Sequence, residues 1–382
     1  MHPHLRYLFI LLFLSVGLQA QVKLSDDARV SVLTCGVGNE VYSLFGHTAI
    51  RVKDSATALD VVFNYGAFDF EAPNFVGRFT KGDLQYFVTA DSFSDFMYQY
   101  YFERRSVSEQ ELLIEPDARR KIFERLMTVM NSDERFYTYK FIDRNCTNMA
   151  ADLLRDELGI PLEKQGNLSQ PYRKVLFPYF DRHFYEQIGT SLIFGTKVDE
   201  PAQKLFLPVE LEQSIATETL DGKALSAPKK ILLDFPVAPN PGSWWNNIWS
   251  FIAILAFFAF VKSRYVTAAY LLITGIIGAF FSIAGWYSLH EELAWNYNAL
   301  LLNPAFLILA FAVLLRKRLL MGRLVLFCAA CMALYLVVIF GKVYFWIAMP
   351  IVAANAIILY RIWQQSKHVV LLASNDSLPP VE

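Results

Sequence analysis

The C-terminal part of the chain is a series of apolar segments, and these constrain the fold more than any other feature. They follow a Pro-rich break, "FPVAPNPGSWW", and each is close to the ~20 residues that a helix needs to cross a bilayer. The five segments lie at about 245–261, 265–286, 297–315, 320–340 and 343–360. Because lipid offers backbone groups no hydrogen bonds, the sequence predicts five transmembrane helices over residues 241–366.

Basic residues between these segments predict how the chain is oriented. They follow the first, third and fifth segments, at Lys262, Arg264, Arg316, Lys317, Arg318, Arg323, Arg361 and Lys367. The loop after the second segment has no Lys or Arg, and the loop after the fourth has only Lys342. Basic loops stay in the cytoplasm. We therefore expect an exported N-terminal domain and a cytoplasmic tail at 367–382.

The N-terminus also predicts export. Residues 1–20, "MHPHLRYLFILLFLSVGLQA", combine a basic start at Arg6, a short apolar run and a small residue, Ala20. This pattern is typical of a cleaved signal peptide. Leu18 is a poor residue at the third position before the cut, so an uncleaved anchor stays open as an alternative. The exported domain is expected to occupy residues 21–240.

Composition and charge exclude several classes of protein. The chain is 54% hydrophobic and only 19% charged, which is too apolar for an ordinary soluble enzyme. The formal net charge of −1 and the lack of a long basic run argue against nucleic-acid binding. No metal-binding pattern, P-loop or dinucleotide fingerprint is present, so we predict no cofactor and no metal site.

The exported domain has the pattern of a mixed α and β fold. Segments rich in Val, Phe and Tyr predict strands at "VSVLTCGV", "HTAIRVK", "VVFNYGAF" and "LQYFVTA". Helical spacing of apolar residues predicts helices at "SDFMYQYYF", "EPDARRKIFERLMTVM" and "CTNMAADLLRDEL". About 215 residues are enough for one sizeable core.

Cys146 begins the last of these predicted helices. A thiol at a helix N-terminus is favoured as thiolate by the positive end of the helix dipole, and the free N–H groups there can stabilise an oxyanion. Burial as a structural thiol is an alternative, and so is a disulfide with Cys35, because an exported domain permits one. Cys328 and Cys331 lie in the fourth apolar segment and are expected to pack in its core.

A nucleophilic Cys146 needs a base, and the exported domain holds two histidines, His47 and His183. His47 follows a Phe-Gly turn and begins an apolar strand, which is a typical position for a site residue. His183 lies among charged and aromatic residues and is expected to be a surface or packing residue. The sequence therefore favours His47.

Several ordered motifs resemble a known family. They are "LTCGVGNEVYSLFGHTAIRV", "FNYGAFDF", "ERFYTYKFIDRNCTN", "LFLPVELE" and "NYNALLLNP". A histidine on an early strand and a cysteine opening a later helix resemble the circularly permuted papain-like families, including NlpC/P60-related proteins and the lecithin:retinol acyltransferase group. From about residue 30 to 340 the motifs resemble the Lnb family of bacterial lipoprotein N-acyltransferases. The resemblance implies an α+β permuted papain-like (NlpC/P60-like) domain followed by five transmembrane helices.

The same resemblance implies roles for individual residues. Cys146 would be the nucleophile and His47 its general base. A third polar group usually orients the histidine ring, and here Asn64 is the candidate, with Tyr65 or Asp69 as alternatives. Two further residues, Tyr42 and Asn145, are candidates for oxyanion or positioning roles. A packed tyrosine and a helix-capping asparagine are the alternatives for these two.

The loop after the second apolar segment, "HEELAWNYNALLLNP", is predicted to face the exported side. It contains His290, Glu291, Asn296 and Asn298, which are candidates to meet lipid headgroups or an acceptor amine at the membrane surface. An ordinary solvated loop anchored by Trp and Tyr is the alternative.

Together these features predict a thiol-dependent acyltransferase in the bacterial inner membrane. By the resemblance, the acyl donor is a membrane phospholipid and the acceptor is the α-amine of a diacylglyceryl-cysteine at a lipoprotein N-terminus. A ping-pong reaction through a Cys146 thioester is expected. Two alternatives remain: a membrane-anchored Cys/His phospholipase or cell-wall amidase, and a non-catalytic envelope assembly factor.

Overall fold

The computed structural model describes residues 23–181, 183–236 and 243–375. The predicted signal peptide lies outside the described residues, and so does the end of the predicted tail from residue 376. We call residues 23–236 the N-terminal domain and residues 243–375 the membrane part.

A seven-stranded sheet forms the centre of the N-terminal domain. Its strands are β1 (Arg29–Cys35), β2 (His47–Asp54), β3 (Leu59–Ala67), β4 (Gln85–Ser92), β5 (Val107–Glu111), β6 (Phe136–Thr138) and β9 (Lys230–Leu233). The order is β6-β4-β3-β2-β1-β5-β9, and every neighbouring pair is antiparallel. A small separate hairpin pairs β7 (Thr219–Leu220) with β8 (Lys223–Ala224). The four strands predicted from the sequence are confirmed as β1 to β4.

Seven α-helices accompany these strands in the described part of the domain. They are α1 (Phe75–Lys81), α2 (Phe93–Phe102), α3 (Pro116–Met130), α4 (Cys146–Leu158), α5 (Tyr172–Leu176), α6 (Phe184–Ile193) and α7 (Pro208–Thr217). The three predicted helices are confirmed as α2, α3 and α4. The others are at most ten residues long, which is too short for apolar periodicity to identify them reliably.

The two faces of the sheet are covered by different helices. Side chains of α3, α4 and α7 form the larger core with one face, around Val32, Ile50 and Phe63. Helix α2 covers the other face, where Phe96 and Tyr100 pack on apolar strand residues. Alternation along the strands produces these two faces, because successive side chains point to opposite sides of a sheet.

The membrane part contains five apolar helices of unequal length. They are α8 (Ile248–Phe260), α9 (Arg264–Tyr287), α10 (Ala305–Leu314), α11 (Arg318–Ile339) and α12 (Phe345–Asn375). Among the described residues three of these are long and apolar enough to span a membrane, and α10 joined to the bent segment Glu291–Leu300 makes a fourth. Helix α8 has 13 residues, or about 20 Å, against the ~30 Å of a hydrocarbon core. The structure therefore supports three to four spans, and the predicted count of five is not confirmed.

The membrane part contacts the N-terminal domain through the two loops that the sequence placed on the exported side. Lys342, after α11, bonds Asp199 at 2.9 Å, and Tyr297, after α9, donates to the same carboxylate at 2.7 Å. Glu291 pairs with Lys197 at 2.6 Å. Both loops therefore lie at the end of the helices that carries the N-terminal domain. Arg264 begins α9 and lies about 36 Å away along the helix, at the opposite end.

Candidate active site

Cys146 is the first residue of α4, and its environment is built by the cap of that helix. Asn145 precedes it, and the side-chain oxygen of Asn145 accepts hydrogen bonds from the backbone N–H groups of Thr147 at 2.9 Å and Asn148 at 3.0 Å. The backbone N–H of Asn145 in turn donates to the side-chain oxygen of Asn148 at 3.0 Å. This capping box fixes the start of α4, and with it the thiol.

His47 begins β2 directly after a turn that requires glycine. Gly46 has φ +81°, and a Cβ there would lie 2.6 Å from the carbonyl oxygen of Cys35. Other residues are strained in this conformation and would clash with the neighbouring strand. The turn therefore sets His47 at the end of the sheet, where α4 begins beside β2.

The surroundings of Cys146 favour its thiolate. Burial alone raises the pKa of the thiol, but the positive charge of His47 and a hydrogen bond from its ring lower it. The backbone N–H of Thr48 and the hydroxyl of Thr147 also donate to the sulfur, and the net pKa of Cys146 lies below its ordinary value. The Thr48 and Thr147 hydroxyl oxygens are 3.1 Å apart, which ties the start of the helix to the strand.

The surroundings of His47 favour its protonated form, the imidazolium. Burial lowers the pKa of the ring, while the Cys146 thiolate and the hydrogen bonds to Cys146 and Asn64 raise it, and the net pKa is above the ordinary value. The nearby positive charge of Arg105 opposes this. The two shifts in opposite directions both favour a thiolate–imidazolium pair, which is the activated form of a cysteine nucleophile.

Asn64 orients the ring. Its side-chain oxygen lies 3.1 Å from Nε2 of His47, and its side-chain nitrogen donates to Asp91 at 2.9 Å. The bond to Asp91 fixes which end of the amide faces the ring, so Nε2 must carry a proton and donate it. Nδ1 is the ring nitrogen left for Cys146. The hydrogen-bonded series therefore runs from the Cys146 thiol through the His47 imidazole and the Asn64 amide to the Asp91 carboxylate.

A candidate oxyanion donor is the backbone N–H of Cys146 itself. The Thr147 and Asn148 amides are already capped by Asn145, and the Met149 amide bonds the carbonyl of Asn145 at 3.0 Å. Within the described residues the Cys146 amide has no acceptor. Among the donors at this helix start, it is the one available to bond an oxygen on which negative charge develops beside the sulfur.

The part of the chain that holds His47 and Cys146 is similar to a known family of domains. Residues 18–177, which include β1 to β6, His47 and Cys146, match the family model of the Lnb N-terminal periplasmic domain. The N-terminal domain is therefore of the Lnb type. No curated protein and no solved structure matches the chain.

The remaining candidates in the Lnb domain lie in different surroundings. Asn145 is buried, and both hydrogens of its amide are donated, to the carbonyls of Phe141 and Phe206, each at 2.8 Å. Its side chain therefore caps the helix and has no proton left for an oxyanion. Tyr42 is 63% exposed in the short turn Val41–Ser43, and no hydrogen bond of its hydroxyl occurs within the described residues.

The two alternatives to Asn64 in the Lnb domain do not reach His47. Tyr65 is buried in the larger core, because it lies on the opposite face of β3 from Asn64. Asp69 accepts the backbone N–H of Glu71 at 2.8 Å and forms an exposed turn. Of the three candidates, Asn64 is the one that the structure brings to His47.

The loop candidates lie between the Lnb domain and the membrane part. Asn298 is fully buried, with its side-chain nitrogen donated to the carbonyl of Leu192 at 2.9 Å and its oxygen bonded by the hydroxyls of Tyr335 and Tyr344. Asn296 likewise donates to Leu192, at 2.8 Å. Their amides hold the C-terminal end of α6 against the membrane helices, so this loop is an interface.

His290 also contacts the Lnb domain. Its Nε2 lies 3.0 Å from the carbonyl oxygen of Phe79, so this nitrogen donates, and the ring packs against the side chain of Phe79. The contact joins the loop after α9 to α1, away from Cys146.

Sequence reasoning missed three contributors to the site: Asp91, Thr48 and Thr147. Asp91 directly follows the predicted strand "LQYFVTA", but its approach to Asn64 depends on the register of β3 and β4, in which Asn64 lies opposite Thr89. Thr48 and Thr147 are neighbours of His47 and Cys146, and adjacency to these residues was the available signal.

Cys35 should be dispensable for the reactivity of Cys146. The two cysteines are both free thiols in the structure, and burial raises the pKa of Cys35 to about 12. We expect Cys35→Ser to leave the rate of Cys146 alkylation by iodoacetamide unchanged, with Cys35 unmodified in the folded wild type. Peptide mass spectrometry measures both. A disulfide joining Cys35 to Cys146 in purified, unreduced protein would contradict this prediction.

Proposed function

We propose that this protein is a lipoprotein N-acyltransferase that moves an acyl chain from a membrane phospholipid to the α-amine of a diacylglyceryl-cysteine. The observation that carries the proposal is the Cys146, His47 and Asn64 arrangement within an Lnb domain that is joined to apolar helices. It supports thiol chemistry at a membrane surface.

The first half of the reaction forms a thioester. The Cys146 thiolate attacks the ester carbonyl of the phospholipid, and the Cys146 N–H donates to the resulting oxyanion. As the tetrahedral intermediate collapses, the carbon–oxygen bond breaks and His47 gives its Nδ1 proton to the leaving alcohol. A lysophospholipid departs, and His47 is left neutral.

The second half transfers the acyl group to nitrogen. The neutral α-amine of the lipoprotein attacks the thioester carbonyl, and His47 accepts a proton from the nitrogen. The carbon–sulfur bond then breaks, which returns the Cys146 thiolate and leaves an amide. Aminolysis exceeds hydrolysis if the acceptor excludes water from the site, because a thioester reacts readily with amines.

A hydrolase is the alternative function, because the same Cys146 and His47 pair supports attack on the thioester by water as well as by an amine. A phospholipase or a cell-wall amidase would use these groups identically, and a non-catalytic assembly factor would not need them. The membrane part favours transfer from lipid, since a soluble cell-wall substrate does not require apolar helices of spanning length.

The fold proposed for the Lnb domain is permuted papain-like. Two features support it: the cysteine opens a helix that packs on an antiparallel sheet, and the histidine lies on a strand of that sheet. The histidine strand precedes the cysteine helix in the chain, which is the reverse of an unpermuted papain-like order.

The decisive experiment compares lipoprotein N-termini by mass spectrometry in cells with and without this protein. We expect a third, amide-linked acyl chain only when the protein is present. Purified protein with phospholipid and a diacylated lipopeptide should give the triacylated product together with lysophospholipid. Release of free fatty acid without N-acylation would support the phospholipase instead.

The proposed topology is five spans in the bacterial inner membrane, with the N-terminal domain in the periplasm and the C-terminus in the cytoplasm. It rests on the basic residues at the end of the helices opposite to the N-terminal domain. A reporter active only in the cytoplasm, fused after Lys367, should be active. Activity of a periplasmic reporter at that position would show an even number of spans.

Asn64 should act as a positioning residue for His47. Its bond raises the pKa of the ring, so Asn64→Ala should lower the pH at which activity is lost on the alkaline side and reduce kcat by about 10-fold. Asn64→Asp keeps an acceptor and adds a negative charge, so the alkaline limit should move to higher pH. The rate of acyl transfer against pH tests both. A uniform loss with no shift in either variant would indicate a structural role only.

A further inference from the structure

A row of aromatic side chains leads from the neighbourhood of Cys146 to the loop after α9. We call Tyr139, Tyr86, Phe68, Phe75 and Phe79 the aromatic row. Successive ring centroids are 4.6 Å apart for Tyr139 and Tyr86, 5.1 Å for Tyr86 and Phe68, and 6.1 Å for each of the next two pairs. These are contact distances for aromatic rings, so the row is continuous.

The inner end of the row lies beside the thiol. Tyr139 follows β6, and reciprocal backbone bonds between Lys140 and Arg144, at 3.1 and 2.9 Å, fold the chain back so that Cys146 comes next to it. Cys146, Tyr139 and Tyr86 pack against the same hydrophobic core. Burial raises the pKa of Tyr139, and the charge of the Cys146 thiolate raises it further.

The outer end of the row lies at the end of a helix of membrane-spanning length. Phe79 is on α1, and its carbonyl bonds His290 at 3.0 Å. The carbonyl of Lys81 accepts the N–H of Leu289 at 2.7 Å, and Leu289 comes two residues after the end of α9 at Tyr287. Helix α1 is therefore fixed at the level where α9 ends.

Apolar side chains at this outer end are exposed. Helix α1 has no buried residue, and the exposed fractions are 74% for Val76, 68% for the adjacent Phe70 and 50% for Phe79. Trp286 and Trp295, also exposed, stand at the neighbouring helix end with ring centroids 6.4 Å apart. Tryptophans mark the interface of a bilayer, so lipid is the partner that covers this patch.

From this continuity we infer that an acyl chain of the donor phospholipid lies along the aromatic row, with its ester at Cys146 and its methyl end at Phe79 and the bilayer. The inference rests on the proposed function, because it names the path by which that donor reaches the thiol. The apolar surfaces of these rings bury the chain while it is out of the membrane.

Photo-crosslinking tests this path without any catalysis. The full chain with Cys146→Ala, in lipid nanodiscs, receives phosphatidylethanolamine with a diazirine placed either near the acyl carboxyl carbon or at the methyl end. We expect the first probe to label Tyr139 and Tyr86, and the second to label Phe75 and Phe79. Labelling by both probes confined to the membrane helices would overturn the inference. A positive result without N-acylation by the wild type would reject the proposed function alone.

A matched pair of surface variants adds a second test. Phe79→Asp places a charge on the row, whereas Phe102→Asp alters another exposed phenylalanine, on α2, at the opposite face of the sheet. We expect Phe79→Asp to reduce methyl-end labelling of the row by about 10-fold or more, and Phe102→Asp to leave it unchanged. Thermal unfolding checks that both variants fold. Equal labelling in the two variants would overturn the inference.

Discussion

A Cys146→Ala protein should transfer no acyl chains, with the rate reduced by roughly 10⁴-fold or more, as expected for the loss of a covalent nucleophile. Wild-type protein incubated with phospholipid but no acceptor should accumulate a thioester on Cys146 that neutral hydroxylamine releases. Intact-protein mass spectrometry detects the added acyl mass before and after hydroxylamine. Cys146→Ser should be largely inactive, because its hydroxyl has a far higher pKa than the thiol.

Cys35→Ser is the matched control for this experiment, since Cys35 is the other cysteine of the N-terminal domain. It should accumulate the same thioester as the wild type, because Cys35 is buried and its thiol stays protonated. Lipoprotein N-acylation by Cys146→Ala at the wild-type rate would refute the proposed mechanism.

Removal of His47 should produce the second-largest effect. We expect His47→Ala to slow thioester formation by about 10²-fold or more, the usual scale for a general acid–base group. It should also change the pH at which the thiolate forms. His47 lowers the pKa of Cys146 against the opposing effect of burial, so without the imidazole this pKa should be higher than in the wild type.

Alkylation of Cys146 by iodoacetamide against pH measures that shift. In the wild type, the thiolate should be lost as the pH falls through the lowered pKa of Cys146. In His47→Ala the same loss should occur at higher pH. A coincident profile for the two proteins would show that His47 does not activate the thiol. His183→Ala, which changes the other histidine of the domain, should match the wild type.

The residues of the pair could be predicted, but the residues that support them could not. Cys146 and His47 were predictable because each begins an element whose apolar pattern is visible locally. Asn64 could not be separated from Tyr65 or Asp69, since the choice depends on which face of β3 meets His47. Asn145 was an open choice between capping and oxyanion binding until its hydrogen-bond partners were known.

The burial of the loop after α9 and the existence of the aromatic row also could not be predicted from the sequence. Asn298 is polar and lies next to a membrane helix, a pattern that suggests a surface role, yet the fold buries it among carbonyls of α6 and tyrosines of two membrane segments. The row joins residues from β4, α1 and the chain after β6, which no sequence spacing relates.

The sequence by itself determined the apolar helices, their alternating basic loops, the first four strands and the cysteine at a helix start. Each of these depends on hydrophobicity, charge or periodicity within about twenty residues. Only the tertiary structure decided which side chain orients His47, which backbone N–H at the start of α4 is left for an oxyanion, and how α1 meets the end of α9. Those contacts join residues far apart in the chain, because strand register and helix packing are fixed by the whole core rather than by local sequence.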